Sequence, residues 1–172
     1  MRMGGADKAS VEYHGRTLLE HAIEALIDAS EVVVVGEPVP TTRPVTFTRE
    51  SPRYGGPVAA LLTGRDALVR EPRTLGLLAV DMPWVSAWTF RRLHEAAVGR
   101  DGAFLTDASG RRQLAAVLQA DSLQRVRPDH EGQHGMALHR LLEGLDLVDI
   151  PPEADEGRDV DSWADLRDLG GE

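Results

Sequence analysis

Apolar residues recur along this chain with two periods, and the switches between them divide it into elements. From Thr17 to Ala29, Leu18, Leu19, Ala22, Ile23, Leu26 and Ile27 fall on one helical stripe. Thr17 and Glu20 have capping-box spacing, which satisfies two first-turn donors at the start of that helix. Glu31 to Val35 is a β-branched run ending at Gly36, the pattern of a buried parallel strand. Val45 to Thr48 reads as a further strand. Gly55, Gly56 and Pro57 precede a helix to about Val69, with Pro57 suited to its first turn. Thr74 to Val80 is another buried-strand pattern and ends at Asp81; Ser86 can cap a helix to about Val98. Asp101 to Thr106 and Arg112 to Leu118 read as strands joined through the turn Asp107-Ala108-Ser109-Gly110. Helical stretches at Ala120 to Val126 and Met136 to Leu145 follow. A strand at Leu147 to Ile150 and a short helix from Ser162 to Leu169 close the pattern.

Strands alternating with helices predict an α/β fold with a mostly parallel sheet, helices on both faces and a hairpin-like excursion in the second half. Ligands gather at the carboxyl ends of the strands in such sheets. Gly36, Glu50 and Asp81 all lie at or just past predicted strand ends, the first sign of a shared site. The 172 residues, 42% of them hydrophobic, are enough for one domain with a sizeable core. There is no cysteine, which excludes disulfides and thiolate metal sites and is compatible with a reducing compartment. The first residues lead to no apolar signal core, and the longest apolar runs are too short to span a bilayer, so a cytoplasmic protein is expected. Nothing in the pattern requires more than a monomer.

Charge narrows the partners. A formal net charge of −9 repels nucleic acid and anionic membranes over most of the surface, so neither is an expected partner. A phosphate-bearing substrate would need a locally basic pocket. Of the 19 Lys and Arg residues, only Lys8 is Lys. That choice suits a position needing a compact, flexible ammonium rather than a planar fork, although chance retention under a biased composition would look the same. Lys8 closes the segment Arg2-Met3-Gly4-Gly5-Ala6-Asp7-Lys8. Its glycines let backbone N–H groups approach phosphate oxygens, and its cations can offset their charge; a loose N-terminus with ordinary charges is the alternative. Asp81 follows a buried strand and precedes Met82-Pro83. A carboxylate there suits a Mg2+ that takes few protein ligands, or simply a turn ahead of the next helix. Asp159 and Asp161 form a second acidic pair that could face the same metal or cap the last helix. His130, His134 and His139 have no metal-ligand spacing and read as solvated; Trp84 and Trp88 read as core or staple residues.

Taken in order, these segments resemble the MobA-like nucleotidyltransferases, the molybdenum-cofactor guanylyltransferase-like family. The matching pieces are Arg2 to Lys8; Gly15-Arg16-Thr17-Leu18-Leu19-Glu20; Glu50-Ser51-Pro52 with Gly55-Gly56-Pro57-Val58-Ala59; Asp81-Met82-Pro83; and Asp159-Val160-Asp161-Ser162 with Asp165-Leu166. The resemblance runs from Arg2 to about Leu169. It implies a Rossmann-like sheet of the nucleotide-diphospho-sugar transferase kind and a Mg2+-dependent nucleotidyltransferase. A nucleoside monophosphate, GMP from GTP, would pass to a phosphorylated acceptor such as molybdopterin, with release of pyrophosphate. It also implies site residues: Lys8 and Arg2 on the triphosphate, Gly4, Gly5, Gly36, Glu50, Gly56 and Pro57 around the nucleotide and acceptor, and Asp81 with Asp161 on Mg2+. Alternatives are a cytidylyltransferase, a guanylyltransferase for another phosphorylated acceptor, or a nucleotide-binding module without catalysis. The family opens with a strand and a Leu-Ala-Gly-Gly loop before the residue matching Arg2. Neither is present here, so the chain is expected to be a single domain short of its first strand.

Overall fold

The computed structural model describes residues 8–160, and the elements it forms follow the two periods closely. A 3-10 turn (Lys8–Ser10) leads into a small hairpin, β1 (Glu12–Tyr13) and β2 (Arg16–Thr17). Helix α1 (Leu18–Ala25) starts at Thr17 with the expected capping box, both reciprocal bonds to Glu20 being present. β3 (Val33–Val35) and β4 (Thr46–Thr48) pair in parallel. α2 (Pro57–Asp66), β5 (Thr74–Leu78) and α3 (Ala87–Ala96) come next. β6 (Gly102–Thr106) and β7 (Arg112–Gln119) form the expected antiparallel pair, followed by α4 (Ala120–Val126), α5 (Leu138–Leu141) and β8 (Leu147–Ile150). The helix expected from Met136 to Leu145 shrinks to the four residues of α5, and the final helix from Ser162 lies outside the described residues. The β1–β2 hairpin is an addition to the sequence pattern. Its turn puts His14 (φ 48°) and Gly15 (φ 75°) in the left-handed region, the geometry that matches strand twist in a two-residue hairpin.

The main sheet has the order β5-β7-β6-β8. β7 runs against both neighbours while β6 and β8 are parallel, so β5, β6 and β8 share one direction and β7 is the single reversal. All of β6 is buried. Its side chains alternate: Ala103 and Leu105 pack with Leu93 and Ala97 of the α3 region, while Phe104 packs with Leu142 just past α5. Val58 and Leu62 of α2 cluster with Leu123 of α4 and Leu141 of α5. Helices therefore cover both faces, as the alternation of elements implied.

β3 and β4 do not join that sheet. Among the described residues β3 pairs only with β4, and β5 only with β7. Between β3 and β5 lies a cavity of about 1030 Å³, lined by Val33–Val35, Thr74–Val80 and residues of α1, α2 and α3. The two strands start at the same end, because the Glu31 carboxylate accepts hydrogen bonds from the backbone of Val69 (2.8 Å) and Arg70 (3.3 Å). The Val33–Val35 strand is consequently half-buried rather than fully buried, and Gly76 in the middle of β5 is exposed.

Candidate functional site

The backbone beyond β5 brings a carboxylate to the strand end. β5 stops at Leu78, and a tight turn follows in which the Met82 N–H meets the Ala79 carbonyl at 3.4 Å. Met82 and Val85 anchor this turn in the core, and Ser86 then caps α3. Asp81 therefore sits on a fixed backbone at the carboxyl end of the strand with its side chain 23% exposed. Lys8 reaches it from 73 positions earlier in the sequence. Its Nζ donates to Asp81 Oδ2 at 2.8 Å, with the Lys8 side chain 30% exposed. The Lys8 segment is fastened by Val11, whose N–H meets the Lys8 carbonyl at 3.2 Å and whose carbonyl accepts from Leu18 at 2.8 Å. Val11, Leu18 and Val160 bury together beneath it.

The second acidic segment arrives at the same place. The Val160 N–H donates to the Asp81 carbonyl at 2.8 Å, which sets Asp159 and Val160 beside the pair. Trp84, half-buried, packs beside this contact and meets both the Tyr13 ring (centroids 6.0 Å) and the Arg158 guanidinium (5.4 Å). Sequence reasoning missed these flanking roles, although Val160, one apolar residue in an acidic loop, was the available signal. Arg2, Gly4, Gly5 and Asp161 lie outside the described residues.

The remaining expected site residues lie just past β3 and β4 and at the start of α2. The Gly36 N–H bonds to the Thr48 carbonyl at 2.8 Å, so Gly36 closes the β3–β4 ladder, with half-buried Glu50 just past β4. The loop from Ser51 to Gly56 folds back on α2. Gly55 is buried there, and a Cβ on it would lie 2.6 Å from the Ala59 Cβ and 2.7 Å from the Pro52 carbonyl. Gly56 (φ 90°) is the N-cap of α2 and Pro57 occupies its first turn. Among the described residues no hydrogen bond or ion pair joins Gly36, Glu50, Gly56 or Pro57 to the Lys8–Asp81 pair. His130, His134 and His139 are exposed, as expected; Trp88 is 56% exposed and donates to Glu153 at 3.1 Å, so it is a surface residue and not a core one.

Among the described residues no group of three or more His, Cys, Asp or Glu could hold a metal alone. Asp81 is an anchored carboxylate at this strand end, and one such donor would fit a Mg2+ held mainly by phosphate oxygens and water. Among the same residues, no helix is long and apolar enough to cross a membrane.

Comparison with known proteins decides the family. Residues 1–149 match the model of the MobA-like NTP transferase domain. The chain belongs to this family. Over 96% of its length, this MobA-like chain is 30% identical to a molybdenum cofactor guanylyltransferase of Acidiphilium cryptum strain JF-5, of which it covers 86%. Its fold is similar to that of the molybdopterin-guanine dinucleotide biosynthesis protein A of Archaeoglobus fulgidus (TM-score 0.70, 19% identity, 97% of this chain and 90% of that one). It is also similar to that of 2-C-methyl-D-erythritol 4-phosphate cytidylyltransferase of Thermus thermophilus (TM-score 0.73, 20% identity, 95% and 91%). Membership makes the MobA-like chain a nucleotidyltransferase by class.

Proposed function

We propose that the protein transfers GMP from GTP to a phosphorylated acceptor of the molybdopterin class and releases pyrophosphate. The observation that carries this reading is the 2.8 Å Lys8–Asp81 pair at the end of β5, made across 73 positions of sequence by the chain's one lysine. Similarity to the Acidiphilium guanylyltransferase supports the choice of base and acceptor.

In the reaction, an oxygen of the acceptor's terminal phosphate attacks the α-phosphorus of GTP. The bond from that phosphorus to the bridging oxygen of the β-phosphate breaks, and the oxygen leaves with pyrophosphate. The acceptor supplies the nucleophile, so the protein's work is positioning and charge stabilisation. Lys8 turns its ammonium from Asp81 to the β- and γ-phosphates and offsets the charge gathering there, a task shared with Arg2. Gly4, Gly5, Gly36, Gly56 and Pro57 admit the nucleotide and acceptor close to the backbone, and Glu50 meets the nucleoside. Asp81, with Asp161, would hold Mg2+, which when bound screens the phosphates from one another.

The test uses GTP labelled at its α-phosphate, together with molybdopterin. The label is expected in the acceptor with one pyrophosphate released per transfer, and CTP and ATP should not substitute. Asp81→Asn should weaken GTP binding in Mg2+ by about tenfold or more while leaving the fold intact. Equal turnover with CTP would overturn the base assignment. Equal GTP affinity of both proteins, with and without Mg2+, would overturn the role of Asp81.

A further inference from the structure

The loop between β8 and the Asp159-Val160 segment is held by a buried charged cluster. Glu156 is 7% exposed, an unusual place for a carboxylate unless donors surround it. Three do. Thr89 Oγ1 donates to Oε1, Arg92 donates to Oε2 at 2.7 Å, and the Glu153 backbone N–H donates to Oε2 at 2.9 Å. Thr89 is fully buried on α3 and Arg92 also donates to the Pro151 carbonyl at 2.7 Å, so α3 grips both ends of the turn. Gly157 then passes so near β6 that a Cβ would lie 2.6 Å from the Thr106 carbonyl. Three residues further, the chain delivers the Val160 N–H to the Asp81 carbonyl and the Val160 side chain against Val11, which is bonded to Lys8.

Apolar packing would serve as well if adhesion were the only need, since a buried ion pair stabilises little more than a hydrophobic replacement. What the cluster adds is direction: three hydrogen bonds fix where the loop leaves α3 and hence where Val160 lands. We propose that Glu156, with Thr89 and Arg92, is a positioning latch that, through Val160, sets the geometry of Asp81 and Lys8. Its consequence for nucleotide binding rests on the function proposed above; its effect on the Lys8–Asp81 pair does not.

Because Lys8 is the chain's one lysine, its reactivity can be read directly. Amine acylation followed by mass spectrometry reports how firmly its ammonium is held, since the reagent consumes only the free amine. Thr89→Val removes one latch donor with little change of shape, Thr89→Ser restores the hydroxyl, and Glu156→Gln neutralises the carboxylate. Without nucleotide, Thr89→Val and Glu156→Gln should label at Lys8 several times faster than the native protein, and Thr89→Ser should return to the native rate. Circular dichroism at the labelling temperature verifies that each variant is folded. Unchanged Lys8 rates in folded variants, or equal acceleration in Thr89→Ser, would overturn the latch. So would global unfolding of both Thr89→Val and Glu156→Gln, which would make the cluster a general folding element. Adding Mg·GTP to the native protein is the separate arm. Protection of Lys8 supports the nucleotide site, and no protection sinks that reading while leaving the comparison of variants to decide the latch.

Discussion

At the scale of single residues, the most legible feature was chemical choice. One lysine among many arginines and one carboxylate at a strand end stood out in the sequence, and folding brings their charges to 2.8 Å. Proximity itself was not legible, because 73 positions separate them and no local pattern encodes that contact. Asp101 went unremarked for the opposite reason: its importance comes entirely from its neighbours. Ser122 donates to its carboxylate, the Asp146 N–H donates at 2.9 Å and Arg125 at 2.7 Å, tying together the starts of β6, α4 and β8. Those bonds, the Ser122 hydroxyl foremost, lower its pKa from 3.8 to about 2. A folded-state pKa below the unfolded value stabilises the fold above the unfolded pKa and loses that contribution as pH falls through the folded one. Asp101→Asn should therefore cost about 1–2 kcal/mol at neutral pH, allowing for partial exposure. The gap in melting temperature between native and variant proteins should shrink as pH falls from about 4 towards 2. A gap that stays constant across that range would show that the carboxylate's charge contributes nothing.

At the scale of elements, caps and periods carried the reading, and short elements escaped it. The stripe from Leu18 and the Thr17 cap located α1, and Ser86 located α3, where Thr89 completes a second capping box. The hairpin β1–β2 has two residues per strand, too few for alternation to register, and only the left-handed pair His14-Gly15 signals it. The Met136 to Leu145 stretch has helical spacing, yet Gly144 (φ 89°) breaks the chain and only Leu138–Leu141 is helical. The two-glycine approach to α2 was legible as a turn but not as a packing constraint. Gly55→Ala places a methyl against the Ala59 Cβ and the Pro52 carbonyl, both backbone-fixed, and should cost ~1–3 kcal/mol in stability. Gly36→Ala opens onto free space and should change stability by less than ~0.5 kcal/mol. Chemical denaturation of the two variants checks the contrast, and a tolerated Gly55→Ala would mean that the loop can shift away from α2.

At the scale of the whole molecule, the α/β class, the direction of β5, β6 and β8, and the reversal at β7 all followed from the order of elements. The separation of β3–β4 from the main sheet is set by pairing, which hydrophobic pattern does not report. The cavity between β3 and β5 has the character of a strand position. Side chains of α1, α2 and α3 line it, and on each side runs a strand paired on its other edge alone among the described residues. Along a strand, N–H and C=O groups turn to alternate sides. Val32 and Gly36 bond to β4, so Val33 and Val35 turn theirs to the cavity; Arg73 and Ala79 bond to the β7 side, so Thr74, Gly76 and Leu78 do the same. An apolar strand running parallel to β3 and β5 would meet both rows at once. Its carboxyl end would emerge beside Asp81 and Lys8. We therefore expect that joining such a strand and a glycine-rich loop ahead of Met1 raises stability and strengthens GTP binding together. Each new hydrogen bond contributes ~0.5–1.5 kcal/mol, and apolar burial adds ~25 cal/mol per Å². At 2–4 °C per kcal/mol for a domain of this size, the melting temperature should rise on the order of 10 °C. The comparison is a thermal melt of the 172-residue chain and of the extended chain, each with and without Mg·GTP. If both melt at the same temperature and gain the same shift from GTP, the cavity is not a strand position, and the glycines preceding Lys8 do not need a strand behind them to meet phosphate.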